Sequence, residues 1–326
     1  MRVLVTGGAG YIGSHAAEAL ARSGHEPIVL DNLSTGHRWA VKWGPFVEGD
    51  LANQEVLSRI LQEQQIETVM HFAACLLVGE SVREPRKYFW NNVVNTLHLL
   101  DAMLDAGVKR IIFSSSAAAY GDPEKIPMPE DHPQRPVNPY GETKLMMERV
   151  LEWYGRAYGL GWIALRYFNA AGADLEGRLG EEHDPETHLI PLIIQAALGR
   201  RPYVEIYGTD YPTPDGTAIR DYIHVTDLAE AHVQALEFLA RGGKSMALNL
   251  GTGQGHSVRD VIDTVGKVSP QPVPVREGPR RAGDPPVLVA DARQAAKVLG
   301  WKPQHSGLET IVQSAWNWHS AGKREA

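Results

Sequence analysis

Tyr140-Gly141-Glu142-Thr143-Lys144 sets a phenol and an amine four residues apart, which on a helix puts them on one face. A phenol with its ordinary pKa near 10 is a poor base at neutral pH. A cation at ~4 Å in an effective dielectric of ~20 contributes roughly 4 kcal/mol toward the phenolate, about three pKa units. Lys144, helped by a cationic ring nearby, is therefore expected to bring Tyr140 into the range for proton transfer with a substrate hydroxyl. Upstream, Ser114-Ser115-Ser116 closes an apolar run. Ser116 either holds the reacting hydroxyl and relays its proton or is a strand-end serine satisfied by backbone. The tyrosine and lysine spacing alone also occurs on solvated helices, so the surrounding elements must decide its meaning.

Those elements begin at the first residues. Val3-Leu4-Val5 runs into Thr6-Gly7-Gly8-Ala9-Gly10-Tyr11-Ile12-Gly13, an apolar strand entering a glycine-rich turn that opens a helix. Unpaired N–H groups and the positive end of a helix dipole at such a turn can hold a pyrophosphate. Glycine permits the tight turn, lets backbone approach phosphate oxygens, and at Gly13 lets the helix pack close to the sheet. Asp31 follows the second strand, 18 residues beyond Gly13. Its carboxylate is placed to accept hydrogen bonds from a ribose and to repel a 2′-phosphate, which favours NAD over NADP. The spacing is Gly7-x-x-Gly10-x-x-Gly13 rather than Gly-x-Gly-x-x-Gly, but strand, helix and acidic residue are in register.

The 326-residue chain exceeds the usual size of a single core, so a large α/β domain with a smaller appendage is expected. Its formal charge of -7, without a basic stripe, argues against a nucleic-acid partner. One cysteine, Cys75, excludes an internal disulfide framework and suits a reducing compartment; it reads best as a small apolar residue. Met1-Arg2 leads straight into the first strand and no stretch reaches 18 apolar residues, so neither a signal peptide nor a membrane span is expected, and the location should be cytoplasmic. The histidines show no ligand cluster, and no metal is expected.

Further strands are expected over 27–30, 46–48, 68–72, 110–113 and 162–167, alternating with helices such as 54–65 and 88–106 and a helix starting after Pro139. This predicts a doubly wound parallel sheet of the Rossmann type with ligands at the carboxyl ends of the strands. Phe72-Ala73-Ala74, Ser114 to Ser116 and Phe168-Asn169 follow strands accordingly. Beyond Ala170 the texture turns to proline- and glycine-rich loops. Residues 1–168 are read as the dinucleotide-binding domain and 169–326 as a smaller, interleaved α/β substrate domain, with 220–240 expected to return a strand and helix to the sheet.

The segments from Thr6 to His15, His71-Phe72-Ala73, Gly79-Glu80-Ser81, Asn91-Asn92, Phe113 to Ser116, Tyr120-Gly121-Asp122, Tyr140 to Lys144, Arg166 to Asn169, Tyr207 to His224, and Arg280-Arg281 with Gly283-Asp284 together resemble the UDP-glucose 4-epimerase family of extended short-chain dehydrogenases/reductases. The similarity runs from Met1 to about Trp318. Its most specific part is the block from Gly208 through His224. The resemblance implies a tightly held NAD+, oxidation at the sugar C4 with Tyr140 taking the hydroxyl proton, turning of the 4-ketose, and return of hydride to its other face. By the same resemblance the cofactor side includes Gly7, Gly10, Tyr11, Ile12, Gly13, Asp31, Asn32, Asp50, Leu51, Phe72, Ala73, Ala74, Asn91, Ser114, Tyr140, Lys144 and Tyr167. The UDP-sugar side includes Ser116, Tyr140, Asn169, the backbone near Leu189, Tyr207 beside the uracil, Arg220 and Arg281 on the diphosphate, Asp284 and Leu288. Without that context either arginine would read as a surface ion pair. A homodimer is implied through two helices per subunit, over 88–106 and 140–158.

Departures from the family pattern mark specificity. Ala74-Cys75-Leu76 replaces a common Gly-Leu-Lys, Ala118 stands where a threonine is frequent, and His188 stands where some members carry asparagine, as a substrate contact or a loop residue. Nucleotide-sugar dehydratases carry Asp-Glu directly after the equivalent of Ser116; Ala117-Ala118 lacks that acid–base pair. A UDP-pentose 4-epimerase remains an alternative, and a non-catalytic NAD sensor is disfavoured because tyrosine and lysine are both kept. Leu288 occupies the family's gating position beside the sugar C2 substituent, which implies some conversion of UDP-N-acetylhexosamines.

Overall fold

In a computed structural model of the protein, residues 1–281 and 283–322 are described. Short apolar runs make the strands and amphipathic stretches the helices: β1 (Arg2–Thr6), α1 (Tyr11–Arg22), β2 (Glu26–Asp31), β3 (Phe46–Glu48), α2 (Gln54–Glu63), β4 (Thr68–His71), α3 (Val78–Arg83), α4 (Pro85–Tyr88), α5 (Asn95–Asp105), β5 (Arg110–Ser116), α6 (Pro139–Tyr158) and β6 (Gly161–Tyr167). Then follow β7 (Asn169–Ala171), α7 (Leu189–Ala197), β8 (Val204–Tyr207), β9 (Ile219–Arg220), β10 (Tyr222–His224), α8 (Val225–Ala240), β11 (Met246–Leu250), β12 (His256–Ser257), α9 (Val258–Val268), β13 (Val275–Gly278), β14 (Val287–Leu288), α10 (Arg293–Leu299) and α11 (Leu308–Ser320).

Seven strands form one parallel sheet in the order β11-β6-β5-β4-β1-β2-β3. Chain direction across the sheet reverses between β1 and β4, so a crevice opens at their carboxyl ends. Alternation along β1 explains the two layers. Val3 and Val5 face one core with Leu20 of α1 and Leu228 and Leu236 of α8, while Leu4 faces another with Leu57, Leu99, Met103, Met147 and Leu151 from α2, α5 and α6. A third core joins α7, α9 and α11 around Ile193, Val204, Val261 and Ile311.

Three elements depart from the sequence-based expectation. The strand at 222–224 pairs with β7 in a separate two-stranded sheet rather than entering the main one; the helix after it does pack on α1, and the strand that closes the sheet is β11. The helix expected over 88–106 is interrupted by a π turn at Phe89–Val94. There the Asn92 side chain reaches out, accepting from Cys75 N at 2.8 Å and donating to Cys75 O at 2.9 Å. Ser114 to Ser116 are the last three residues of β5 rather than following it, because their backbone continues the ladder to Leu165, Arg166 and Tyr167.

Candidate active site

The glycine loop is built by close approach. A Cβ on Gly7, at φ +71°, would stand 2.6 Å from Ala73 N, and one on Gly13 would stand 2.2 Å from Gly7 O. Only glycine fits either position. Gly10 caps α1 without a side-chain hydrogen bond, so the first-turn N–H groups of Tyr11, Ile12 and Gly13 meet no capping side chain. At the end of β2 the buried Asp31 carboxylate accepts from Ala9 N at 3.0 Å and Leu33 N at 2.8 Å. Burial raises its pKa and those two N–H groups pull it back. A helix start free of side chains, a cradle that a Cβ would fill and an acidic strand end suit a dinucleotide. Asn32 donates to Asp50 Oδ2 at 2.6 Å beside them. Leu51 is a core side chain, so only its backbone is available there. Phe72 stacks at a tilt on His232, Ala73 lies against Gly7, Ala74 is half-buried, and Asn91 donates to Asn92 Oδ1 at 3.0 Å.

Asn138 starts α6 by accepting from Gly141 N at 2.9 Å, with Pro139 in the first turn. Gly141 is obligatory because a Cβ would stand 2.3 Å from Ala118 O. The helix therefore lies directly on the end of β5. Lys144, buried, donates from Nζ to Ser114 O at 2.7 Å and stands 5.8 Å from the centre of the Tyr140 ring. Ser116 touches the Tyr140 phenol and accepts from Ala118 N at 3.1 Å. Ser114 and Tyr167 share a hydrogen bond between their hydroxyls.

The electrostatics correct one expectation. The Tyr140 pKa is raised by burial, with the Ser116 hydrogen bond drawing it down; Lys144 does not lower it. The reason is geometric, since the ammonium is aimed at a carbonyl of β5 rather than at the phenol. Burial in turn brings Lys144 down to about 8, against the attraction of Glu148.

The other side of the crevice is held by one ion pair, a cation–ring contact and side-chain hydrogen bonds. Arg220 pairs with Asp284 and donates to Ile219 O at 2.7 Å, and in the β9 to β14 ladder it sits opposite Leu288. The Arg281 guanidinium lies 3.9 Å over the Tyr207 ring. Asn169 donates from its side chain to Asp221 O at 3.0 Å. Asp221 itself is buried and accepts from Thr252 N, Thr252 Oγ1, Gly253 N and Ala290 N. It thereby ties the chain next to Arg220 to residues 252, 253 and 290. Leu189 opens α7 and packs on the third core. His188 is drawn away to the carboxylates of Glu181, at 2.6 Å, and Glu186, at 3.3 Å. With His183 these form a cluster whose donor atoms lie within 4.8 Å of one another, which overturns the expectation that no histidine joins a ligand cluster. Its Glu-x-His-x-x-Glu-x-His spacing lies in an irregular loop, where no periodicity shows which side chains converge.

An open glycine-rich helix start beside a buried tyrosine and lysine on a doubly wound sheet defines a nucleotide-dependent oxidoreductase-type site. The chain belongs to the NAD dependent epimerase/dehydratase family, whose model matches residues 3–251. It is 52% identical over 319 residues to the UDP-glucose 4-epimerase of Halalkalibacterium halodurans, covering 98% of this chain and 96% of that one. Among solved structures it is similar to UDP-glucose 4-epimerase from Brucella ovis in complex with NAD, with 54% identity, a TM-score of 0.95 and 97% of each chain covered. It is likewise similar to the Bifidobacterium longum UDP-glucose 4-epimerase in complex with NAD+ and UDP, with 39% identity, a TM-score of 0.93 and 98% of each chain covered.

The displaced pKa of Lys144 carries a stability consequence. Below about pH 8 the amine is charged in folded and unfolded chains alike, and the folded state bears the whole cost of burying it. Between about 8 and the ordinary 10.5 the unfolded chain binds the extra proton, so stability rises with pH by roughly 3 kcal/mol across that window. Lys144→Met removes this dependence. Melting midpoints of parent and variant from pH 7 to 10 should show the parent gaining steadily on the variant; a constant difference would contradict the buried, charged amine.

Proposed function

We propose that the chain interconverts UDP-glucose and UDP-galactose by transient oxidation at the sugar C4, as a UDP-sugar 4-epimerase using bound NAD. The observation that carries this reading is the stacking of Tyr140, Lys144 and Ser116 on the end of β5, beside a glycine cradle built for a dinucleotide. When bound, NAD+ would supply the hydride acceptor for the sugar C4 and, once reduced, the donor for the return. Gly7, Gly10, Tyr11, Ile12 and Gly13 would hold its pyrophosphate, and Asp31 with Asn32 and Asp50 its adenosine end. Residues 1–168 would act as the cofactor half and 169–326 as the interleaved substrate half.

Ser116 orients the C4 hydroxyl and Tyr140 takes its proton, then gives it back after the 4-ketose has presented its other face. Lys144 fixes the end of β5 through Ser114 O, and the cationic ring of bound NAD+ would be what brings the buried phenol of Tyr140 down toward the range for proton transfer. Arg220 and Arg281 hold the diphosphate by charge-assisted hydrogen bonds, Asp284 sets the Arg220 fork, and Tyr207 with Asn169 borders the nucleotide and sugar. Absence of an acidic pair after Ser116, where Ala117 and Ala118 stand, disfavours dehydration. A cytoplasmic location fits a nucleotide-sugar substrate; among the described residues no helix is long and apolar enough to cross a membrane.

Purified protein incubated with UDP-galactose and no added NAD should form UDP-glucose, and denaturation should release NAD rather than NADP. Tyr140→Phe should lose roughly 10²- to 10⁴-fold in turnover while still binding UDP-galactose. Near-parental turnover in that variant would remove Tyr140 from the chemistry.

A homodimer is proposed through α6 and the neighbouring π turn. These elements pack side by side, yet Trp153 is 66% and Trp90 57% exposed, an apolar surface that a second copy would cover. Sedimentation velocity at micromolar concentration should give a dimer, and a monomer would refute this.

The sugar's size is proposed to be read by Leu288, which lies opposite the diphosphate-side Arg220 and lacks a ring or hydroxyl. UDP-N-acetylglucosamine should therefore be converted detectably, and Leu288→Tyr should depress that activity far more than the activity on UDP-galactose. Equal losses on both sugars would show that Leu288 does not gate.

A further inference from the structure

The segment between β7 and α7 carries Glu181, His183, Glu186 and His188 in one short loop. The Oε1 of Glu181 stands 2.6 Å from His188 Nδ1 and 3.1 Å from His183 Nδ1, and the Glu186 carboxylate stands 3.3 Å from His188 Nδ1 and 3.8 Å from His183 Nδ1. Both carboxylates are deeply buried, at 4% and 5% exposure for Glu181 and Glu186. At such separations two imidazoles and a carboxylate would ordinarily align as hydrogen-bonded pairs. They do not: Glu181 Oε1, His183 Nδ1 and His188 Nδ1 are all buried without a hydrogen bond of acceptable geometry. These donor atoms are gathered within 4.8 Å of one another without pairing. Glu186 is fixed beside them, since its Oε1 accepts from Thr187 N at 2.7 Å and His188 N at 2.8 Å, which folds the loop around its own carboxylate.

We propose that these four side chains form a divalent-metal site, with zinc as the preferred ion, bound through Nδ1 of His183 and His188 and one oxygen each of Glu181 and Glu186. With zinc bonds of about 2.0–2.1 Å, neighbouring ligand atoms of a tetrahedron stand roughly 3.3 Å apart; the four histidine–carboxylate spacings of 2.6, 3.1, 3.3 and 3.8 Å bracket that value, and the donor set as a whole, spread within 4.8 Å, needs only a small contraction around the ion. The charges also suit a dication. With both imidazoles neutral, as ligands must be, the two carboxylates present two negative charges that zinc cancels, whereas without the ion a proton on His188 answers Glu181, so zinc takes the place of that proton. A set of nitrogen and oxygen donors without thiolate suits zinc among the first-row ions and is too small and nitrogen-rich for calcium.

The site is structural and sits at a junction. The His183 ring meets Tyr11 of the glycine loop edge-on at 6.3 Å, the Tyr11 hydroxyl donates to Gly172 O at 2.7 Å, and Trp318 of α11 donates from Nε1 to Glu181 O at 3.1 Å. An ion here ties the entry to α7 to the start of α1, so the segment bearing Leu189 is held against the dinucleotide loop. It also assigns His188 as a ligand rather than a sugar contact.

Tag-free protein stripped with EDTA and re-equilibrated with zinc should retain about one zinc per chain by elemental analysis. Its melting midpoint should rise with zinc concentration. The double variant His183→Ala/Glu181→Gln, checked for folding by circular dichroism, should lose both the bound zinc and the rise. Cobalt substituted into the unaltered chain provides a readout that needs no variant, with the intense visible bands of a four-coordinate ion expected. Substoichiometric zinc in the unaltered chain, retention of zinc by the folded double variant, or the weak spectrum of six-coordinate cobalt would each overturn the proposal.

Discussion

The buried ion pair between Glu148 of α6 and Arg166 of β6 is the interaction on which the site depends. Both side chains are at most 6% exposed, and the guanidinium engages the carboxylate through Nε and Nη2. Burying two charges costs several kcal/mol each, and an apolar pair of the same volume could stabilise the fold as well. What the pair supplies is position. Ser115 donates to the same carboxylate at 2.5 Å, Arg166 donates to the Tyr120 hydroxyl at 2.8 Å, and that hydroxyl donates to Asn249 of β11 at 2.6 Å. One network therefore fixes α6 to β5, β6 and β11 at once. Tyr140, Lys144 and Glu148 are spaced at i, i+4 and i+8 on one helix face, so anchoring Glu148 sets the register of the other two against Ser116 and Ser114.

The two sides of the crevice are rigid for different reasons. Around the dinucleotide loop the constraint is steric: backbone passes so close to backbone that Gly7, Gly13 and Gly141 admit no Cβ. Around the arginines it is polar. Asp221 and Asp227 are buried carboxylates that each gather several donors from distant loops, Asp221 from Thr252, Gly253 and Ala290, Asp227 from Gln304, His305 and Ser306. Irregular segments with few ladder hydrogen bonds are thereby held in place around the short strand β9 that carries Arg220.

Local pattern reveals what local forces decide. The strand, glycine turn and acidic end of the first βαβ unit, and the helix presenting Tyr140 and Lys144, follow from residues close together in sequence, so their types and spacing suffice. The misses share long range as their cause. Met246–Leu250 is a short strand whose place beside β6 is set by pairing with residues some eighty positions earlier. The π turn at Phe89–Val94 exists because Asn92 serves the backbone of Cys75. The direction of the Tyr140 pKa depends on where the Lys144 amine points, which a spacing of four residues leaves open; with the amine turned to Ser114 O, burial outweighs the Ser116 hydrogen bond.

The distribution of charge across the crevice agrees with a reaction that must hold one end of its substrate and release the other. Arg220 with its partner Asp284, and Arg281 over the Tyr207 ring, stand on the side proposed to take the diphosphate, whereas the surface after β5 offers Ser116, Ala117 and Ala118, a hydroxyl and two methyl groups. Binding energy gained at the remote, unreactive end is available to offset the loss of contacts at the sugar. A 4-ketose gripped by many hydrogen bonds could not turn, and one bound only through itself would escape. An epimerase built on this fold therefore needs its strong donors away from the reacting carbon and small side chains beside it, which is the arrangement that Arg220, Arg281 and the alanines after Ser116 provide.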